Sequence, residues 1–450
     1  MAAARGEFSS RFGFIMAAAG SAVGLGNIWG FPTQAASNGG GAFLMVYLIL
    51  AFLIAYPALM AELIIGRHAH ANAVEALRTV SRGPVSRMFG GATGITGLIV
   101  ASFILSFYAI VAGWMMAFCL NSILTIAGFS ETAAWLVEFS LPRNLFFMGL
   151  FMLLTVGIIS RGVQSGIEKW SARLMPMLIV TLVVLVLYVL TLDGAMEGLK
   201  VYVIPDFDRA VTPSLIVKAL GSAFFSLSLG VGTMLIYGSY IKDDENLPLV
   251  GGLVTMLDIG IAVLAGFLII PAMYVAQHNG VEIFTATGTL ISEDTLIFTV
   301  LPALFETMGA AGIVVSIVFF FLMSIAALTS SISMLEVPVS YTIENHNMGR
   351  QNAVWLIGGA IALLSALVLL NFDWMFGLVI EVSTRYFQPM LGLILCVFAG
   401  WIWNRSSILA ELKKGNAATE SGWFWKIWPW YVGTVCPLII LTVFVNSIWA

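Results

Sequence analysis

The chain is a succession of apolar runs separated by short polar, glycine-bearing or proline-bearing segments. The runs fall at about 11–36, 41–66, 90–125, 145–160, 168–191, 214–240, 248–277, 309–343, 352–371, 375–403 and 429–449. Most are long enough to carry a helix across a hydrocarbon core, and 145–160 is the shortest. The pattern predicts an all-α polytopic membrane protein with about eleven transmembrane helices, organised as one membrane domain over 1–450 with no inserted soluble domain.

Two of the runs are interrupted. Within 16–37 stand Gly24, Gly26 and Asn27, followed by Pro32; within 222–240 stand Ser226, Ser228, Gly230 and Gly232. Each reads as a helix broken near the membrane midplane. Hydrocarbon tolerates unpaired backbone only where it is buried in protein or lines a cavity, so something polar should bind at each break. One such segment fits glycine-mediated helix packing as well. A pair of them in corresponding halves points to a transporter with inverted repeats and a central site. The outer segment 192–213 reads as polar and Pro-containing, and 281–305 as an external hairpin capping a vestibule.

Composition agrees: 60% of residues are hydrophobic and 10% charged, and the mean hydropathy is +0.99, far from the roughly 25% charged residues of soluble domains. The net charge of −4 is spread over loops and gives no footprint for nucleic acid. Cys119, Cys396 and Cys436 lie in apolar runs, with neither a disulfide framework nor a metal spacing. MAAARGEFSSR shows no signal-peptide cleavage pattern, so the first span is expected to stay in the mature chain. With the N-terminus in the cytoplasm, Arg143, Lys200, Arg209 and Lys218 fall outside, Arg385 lies within a span, and the remaining basic residues lie inside. This satisfies the positive-inside rule for a multi-pass protein of the inner (plasma) membrane with its C-terminus outside.

The runs GSAVGLGNIWGFP, NGGGAF and ELIIGR at 62–67, with FFSLSLGVG at 224–232 and AALTSSIS at 326–333, resemble the neurotransmitter:sodium symporter family, most closely its prokaryotic branch. The resemblance covers nearly the whole chain. It implies a LeuT-like 5+5 inverted repeat with broken helices 1 and 6. The first repeat would span 1–191 and the second 214–403, with helix 11 at 429–449.

By that resemblance the cargo is an amino acid with two sodium ions, and sodium wants hard oxygen ligands. One sodium site would use the Ala22 carbonyl, the Asn27 side-chain oxygen, Ser226 and Asp258. The other would use carbonyls of Gly20, Val23 and Ala326 with the hydroxyls of Thr329 and Ser330. Read from the residues alone, the Thr329 and Ser330 hydroxyls fit equally a bond back to preceding carbonyls. Monoamine carriers of the family hold an aspartate at the position of Gly24, standing in for a carboxylate their substrates lack. Here the substrate should bring its own, received by the amides of Gly24, Leu25 and Gly26, by Tyr108 and by the first sodium ion. Ile104, Tyr108, Phe225, Ser228, Val231, Ser330 and Met334 would line the side-chain pocket without a full charge, favouring a neutral, apolar amino acid.

Glu62 would brace the first broken helix through its freed amides. Arg5, Ser239, Tyr240 and Glu344 match the family's cytoplasmic gate. The outer ion pair is missing, since Gly30 and Phe376 stand at its two positions. Outward closure should then rest on Phe225, Tyr108 and the 281–305 hairpin. Glu381 and Arg385, four apart within a span, can pair, either as structure or in place of the outer gate. Asp258 is an ionisable group deep in a span, a functional candidate by default. Many members carry an amide there, and two positions of the chloride cage are Ser222 and Ala262 here. Chloride independence follows as an expectation. An uncompensated carboxylate in a low-dielectric site favours its neutral form, so Asp258 is also the candidate for proton counter-transport on the return step.

Other chemistries fit less well. Gly24-Leu-Gly26-Asn-Ile-Trp-Gly30 misses the dinucleotide fingerprint by one residue and follows no strand. His68 and His70 sit at a helix end, read as interfacial rather than as metal ligands. An intramembrane protease would need paired aspartates or a Ser-His arrangement at depth, and a channel would ordinarily assemble its pore symmetrically from ligand rings.

Overall fold

The computed structural model describes residues 6–205, 212–283, 290 and 296–449, and the regular elements among them are helices. Nine helices are long and apolar enough to cross a membrane, and a tenth span arises if the pair Arg11–Ala22 and Gly26–Ser37, bent by 56°, counts as one. This is a multi-pass membrane protein.

In chain order the broken first segment is α1 (Arg11–Ala22) and α2 (Gly26–Ser37), followed by α3 (Gly41–Ala69). A short connector α4 (Ala73–Val80) leads to the long α5 (Pro84–Ile126). Next come α6 (Leu141–Ile159) and α7 (Val163–Val189). The second broken segment is α8 (Pro213–Ser226) and α9 (Thr233–Gly238). After it run α10 (Leu247–His278), α11 (Leu296–Thr307), α12 (Gly309–His346) and α13 (Arg350–Leu370). The last elements are α14 (Phe372–Ile402), the short α15 (Arg405–Gly415) and α16 (Trp423–Asn446). The short run at 145–160 is a full span, α6, of 19 residues.

The two breaks differ in backbone chemistry. α1 starts on Ser10, whose side chain accepts from Gly13 N, and ends at Val23 in extended backbone. The chain then re-enters helix through a π turn at Gly26–Gly30, ahead of Pro32 at the start of regular helix, where a missing N–H costs nothing. Between α8 and α9, Ser228, Gly230 and Gly232 take φ of 52°, 84° and 82°. This left-handed backbone is free for glycine and strained for serine, a type of strain that concentrates at functional sites.

Small residues let the flanking helices close on these breaks. A Cβ at Gly66 of α3 would stand 2.0 Å from Leu235 O of α9, and one at Gly230 would stand 2.3 Å from Gln388 O of α14. α3 and α14 therefore lie directly on the second broken segment.

Among the described residues of the polar segment 192–213 there is more regular structure than its composition predicts. It forms a helix over Ala195–Val203, with Tyr202 buried edge-on against Phe267 at 5.1 Å and Pro205 bridged to Gly40. Of the expected hairpin at 281–305, residues 284–289 and 291–295 lie outside the described residues, and its last part is α11.

Candidate functional site

Both breaks open onto one pocket of about 300 Å³, lined by Ala22, Gly24, Gly26, Ile104, Tyr108, Phe225, Ser228, Val231, Ser330 and Met334, with Gln388 of α14 added. Every side chain expected to line the substrate pocket is there, and none carries a full charge. Gln388 is the residue the sequence reading missed. An amide in the middle of FQPMLG gives no periodic signal distinguishing it from a packed polar residue.

Gly24 and Gly26 serve by size rather than by backbone freedom. A Cβ at Gly24 would lie 2.4 Å from Tyr108 Oη and 2.6 Å from Ser330 Oγ, and one at Gly26 would lie 2.7 Å from the Phe225 ring. Tyr108 Oη accepts from Leu25 N at 3.0 Å.

Beside Gly24, Ser330 Oγ of α12 reaches across to Val23 O at 2.9 Å and Gly20 O at 3.2 Å. Thr329 Oγ1 instead turns back along its own helix to Ala326 O at 3.1 Å and Ile325 O at 3.2 Å. The two readings of this hydroxyl pair thus divide between its members, and together they gather Gly20, Val23, Ala326, Thr329 and Ser330 into a cluster of hard oxygens.

A second cluster lies where α2, α8 and α10 meet. Asn27 Nδ2 donates to Asp258 Oδ1 and to Ser226 Oγ, both at 2.7 Å. Ser226 Oγ donates to Asp258 Oδ2 at 2.7 Å, and Tyr47 Oη approaches Ser226 Oγ at 3.4 Å. Asp258 is fully buried, and Asn27 and Ser226 meet its carboxylate as hydrogen-bond donors. Asn27 Oδ1 accepts from Gly24 N at 3.1 Å, so here the amide turns its NH2 rather than its oxygen toward the carboxylate.

Glu62 corrects an expectation. It accepts from Gly230 N at 2.7 Å, so it braces the second break rather than the first. The reason is packing: α3 lies along α9, which places Glu62 beside amides that left-handed backbone has freed.

Of the residues expected to form the cytoplasmic gate, Arg5 lies outside the described residues. Glu344 accepts from Asn72 N at 2.9 Å and Asn72 Nδ2 at 2.8 Å. Ser239 Oγ turns back to Ile236 O. Tyr240 Oη donates to Glu336 Oε1 at 2.7 Å, and Arg350 pairs with the same carboxylate in a bidentate fork at 2.6 and 3.0 Å. Glu168 of α7 collects the backbone N–H and hydroxyl of both Ser9 and Ser10. Asn72, Glu168, Glu336 and Arg350 escaped the sequence reading because their partners lie far away along the chain.

Aromatics gather about Phe376, one of the two positions expected to lack the outer ion pair. Phe376 stacks on Phe372 at 4.6 Å and lies 5.9 Å from Trp114. Phe298 of α11 meets Trp114, Phe118 and Trp29 at 5.5, 5.2 and 6.3 Å. Glu381 and Arg385 do pair, at 3.2 Å, but both are about half exposed, on the surface of α14 rather than in this cluster.

Three comparisons bear on this arrangement. The chain matches the Sodium:neurotransmitter symporter family over residues 5–138 and 140–450. It is 34% identical to the sodium-dependent transporter YhdH of Bacillus subtilis (strain 168), covering 98% of this chain and 97% of that one. It is 32% identical to a sodium-dependent transporter of Haemophilus influenzae, covering 99% and 98%. Among solved structures it is similar to MhsT in complex with L-phenylalanine, with a TM-score of 0.84 and 35% identity over 98% of this chain and 100% of that one.

Proposed function

The chain belongs to the sodium:neurotransmitter symporter family, a family of sodium-dependent transporters rather than enzymes, and from that premise we propose that it imports a neutral, largely apolar α-amino acid together with two sodium ions. The cycle is alternating access about the central pocket, with helices of 1–191 and 214–403 as the two inverted repeats and 429–449 as an extra helix. The chain sits in the inner membrane with its N-terminus in the cytoplasm and its C-terminus outside.

One observation carries the reading. An uncharged pocket is bounded by both helix breaks and flanked by two clusters of oxygen ligands. A zwitterion fits such a place: its carboxylate meets the Tyr108 hydroxyl and the Gly24 and Gly26 amides, and its ammonium meets carbonyls about Phe225 and Ser228. MhsT, similar in fold, holds an amino acid, L-phenylalanine, which supports the same cargo class here.

Sodium at the first site binds the Ala22 carbonyl, Asn27, Ser226 and Asp258. A half-turn of the Asn27 amide exchanges Nδ2 for Oδ1 at that junction and supplies the ligand an ion needs. The second ion takes Gly20, Val23, Ala326, Thr329 and Ser330. Because the substrate carboxylate completes the first sodium site, ion and amino acid load together. Asp258 supplies fixed negative charge, making chloride unnecessary, and returns protonated once sodium has left inward.

Closure is built differently on the two faces. Inside, Arg5 with Ser239, Tyr240 and Glu344 forms the lock, and Glu168 holds Ser9 and Ser10 at the foot of α1. Outside, Phe225 and Tyr108 cover the pocket beneath the aromatic cluster of Trp114, Phe298 and Phe376. Glu62 supports the second break. Uptake of labelled neutral amino acids into proteoliposomes, with and without an inward sodium gradient, tests the proposal: sodium-driven accumulation is expected, and gradient-independent flux would overturn it.

A further inference from the structure

The carboxylate end of the pocket is marked by Gly24, against which Tyr108 Oη and Ser330 Oγ stand. Gln388 lies at the second break, its backbone carbonyl against Gly230. The Gln388 side chain lines the pocket and is 2% exposed. Its Nε2 donates to Phe224 O at 3.3 Å. A carbonyl can only accept, so this bond fixes the sense of the amide and turns Oε1 the other way as an acceptor. That oxygen is buried and has no hydrogen-bond partner in the protein. A buried acceptor without a donor is costly, and one beside a binding pocket is explained if a ligand brings the donor.

We propose that Gln388 Oε1 accepts a hydrogen bond from the side chain of the transported amino acid. The preferred substrates are then those whose side chains are mainly apolar but carry one donor, a hydroxyl or a ring N–H. Ile104, Val231 and Met334 receive the apolar part and Gln388 reads the donor. A site built to hydrogen-bond a donor rejects the isostere that lacks it more strongly than an apolar pocket rejects a methylene. The inference rests on the amino-acid reading above and sharpens it to a substrate class.

The test uses full-length protein in detergent with sodium and compares the Kd values of matched pairs: threonine with valine, tyrosine with phenylalanine, tryptophan with 1-methyltryptophan. For at least one pair the donor-bearing member should bind about tenfold tighter. Gln388→Leu and Gln388→Met should bring that ratio close to one while the donor-free member stays within about twofold of wild type. Gln388→Glu, which keeps an acceptor, should restore part of the discrimination. Radioactive sodium binding without amino acid should be unchanged in all three and reports that they are folded. Equal binding within every pair by wild-type protein overturns the assignment and needs no variant. A uniform loss for both members in Gln388→Leu also overturns it, since it would place the oxygen on the common ammonium group. If no amino acid binds in sodium, the amino-acid reading itself fails and takes this inference with it.

Discussion

Asn27 and Asp258, 231 positions apart, are joined directly through Nδ2 and Oδ1 at 2.7 Å, and Ser226 closes the triangle. The contact ties the π turn of the first break to the end of α8 and the middle of α10. A carboxylate thus stands at the first proposed sodium site, held by the hydrogen-bond donors Asn27 and Ser226.

The first prediction follows from that charge. Replacing chloride by gluconate should leave uptake unchanged, and lowering internal pH should stimulate it. Asp258→Asn should lose the stimulation and weaken sodium binding by about tenfold or more, since it removes a full charge next to the ion in a poorly screened site. Chloride-dependent uptake by the wild type, or a full internal-pH response in Asp258→Asn, would sink the role given to this residue.

Tyr108→Phe keeps the ring that packs the pocket but removes a donor to a charged acceptor, worth about 1.5 to 3 kcal/mol. Amino-acid affinity should fall roughly tenfold or more. Equilibrium binding in saturating sodium measures it, and an unchanged Kd removes Tyr108 from the carboxylate site.

Gly24 has no room for a side chain between Tyr108 Oη and Ser330 Oγ. Gly24→Ala should weaken amino-acid binding, and Gly24→Asp should abolish it by placing a carboxylate where the substrate's own belongs. Transport at wild-type rate by a folded Gly24→Asp protein would reverse the proposed substrate orientation.

Phe298→Ala should loosen outward closure. The ring touches Trp29, Trp114 and Phe118, and aromatic pairs contribute about 0.5 to 1.5 kcal/mol each beyond area burial. Release of bound amino acid to the outside should accelerate by roughly an order of magnitude, read by dilution of preloaded protein. An unaltered off-rate would show that the cluster plays no part in the gate.

Near the end of α3 Arg67 is fully buried, with Nε on Glu411 Oε1 at 2.7 Å and Nη1 on Glu245 O at 2.6 Å. Burial alone would raise the Glu411 carboxyl, but the hydrogen bond from His68, the charge of Arg67 and the bonds from Lys414 and Arg67 outweigh it and hold it down at about 2. Glu411→Gln leaves Arg67 uncompensated and should cost about 3 to 5 kcal/mol, while Arg67→Met with Glu411→Leu should cost much less. A depressed carboxylate stabilises the fold fully above its unfolded value of about 4.3, and this is lost as pH falls through about 2. Thermal unfolding from pH 8 to pH 3 should show a wild-type advantage over Glu411→Gln that is flat above pH 5 and shrinks below about pH 4. An advantage already declining between pH 8 and pH 5 contradicts this assignment.

The membrane spans, the two breaks, most of the pocket's lining and the family resemblance are legible in the sequence. Those properties are local: twenty apolar residues demand a bilayer, and glycine, serine or asparagine within them demands a polar neighbour wherever the chain goes. Only the tertiary structure decided which neighbour. It gave Glu62 to Gly230 instead of the first break, because α3 lies along α9. It split Thr329 from Ser330: both stand against the first broken segment, but only the Ser330 hydroxyl reaches across to its carbonyls, while that of Thr329 bonds back along α12. It brought Gln388 to the pocket, put Phe298 and Phe376 where the ion pair is missing, and buried Arg67 on Glu411, 344 positions away. None of these pairings has a sequence period. Each depends on how close two helices approach, which is set jointly by small residues on both, and that distance is a property of the packed bundle rather than of any stretch of chain.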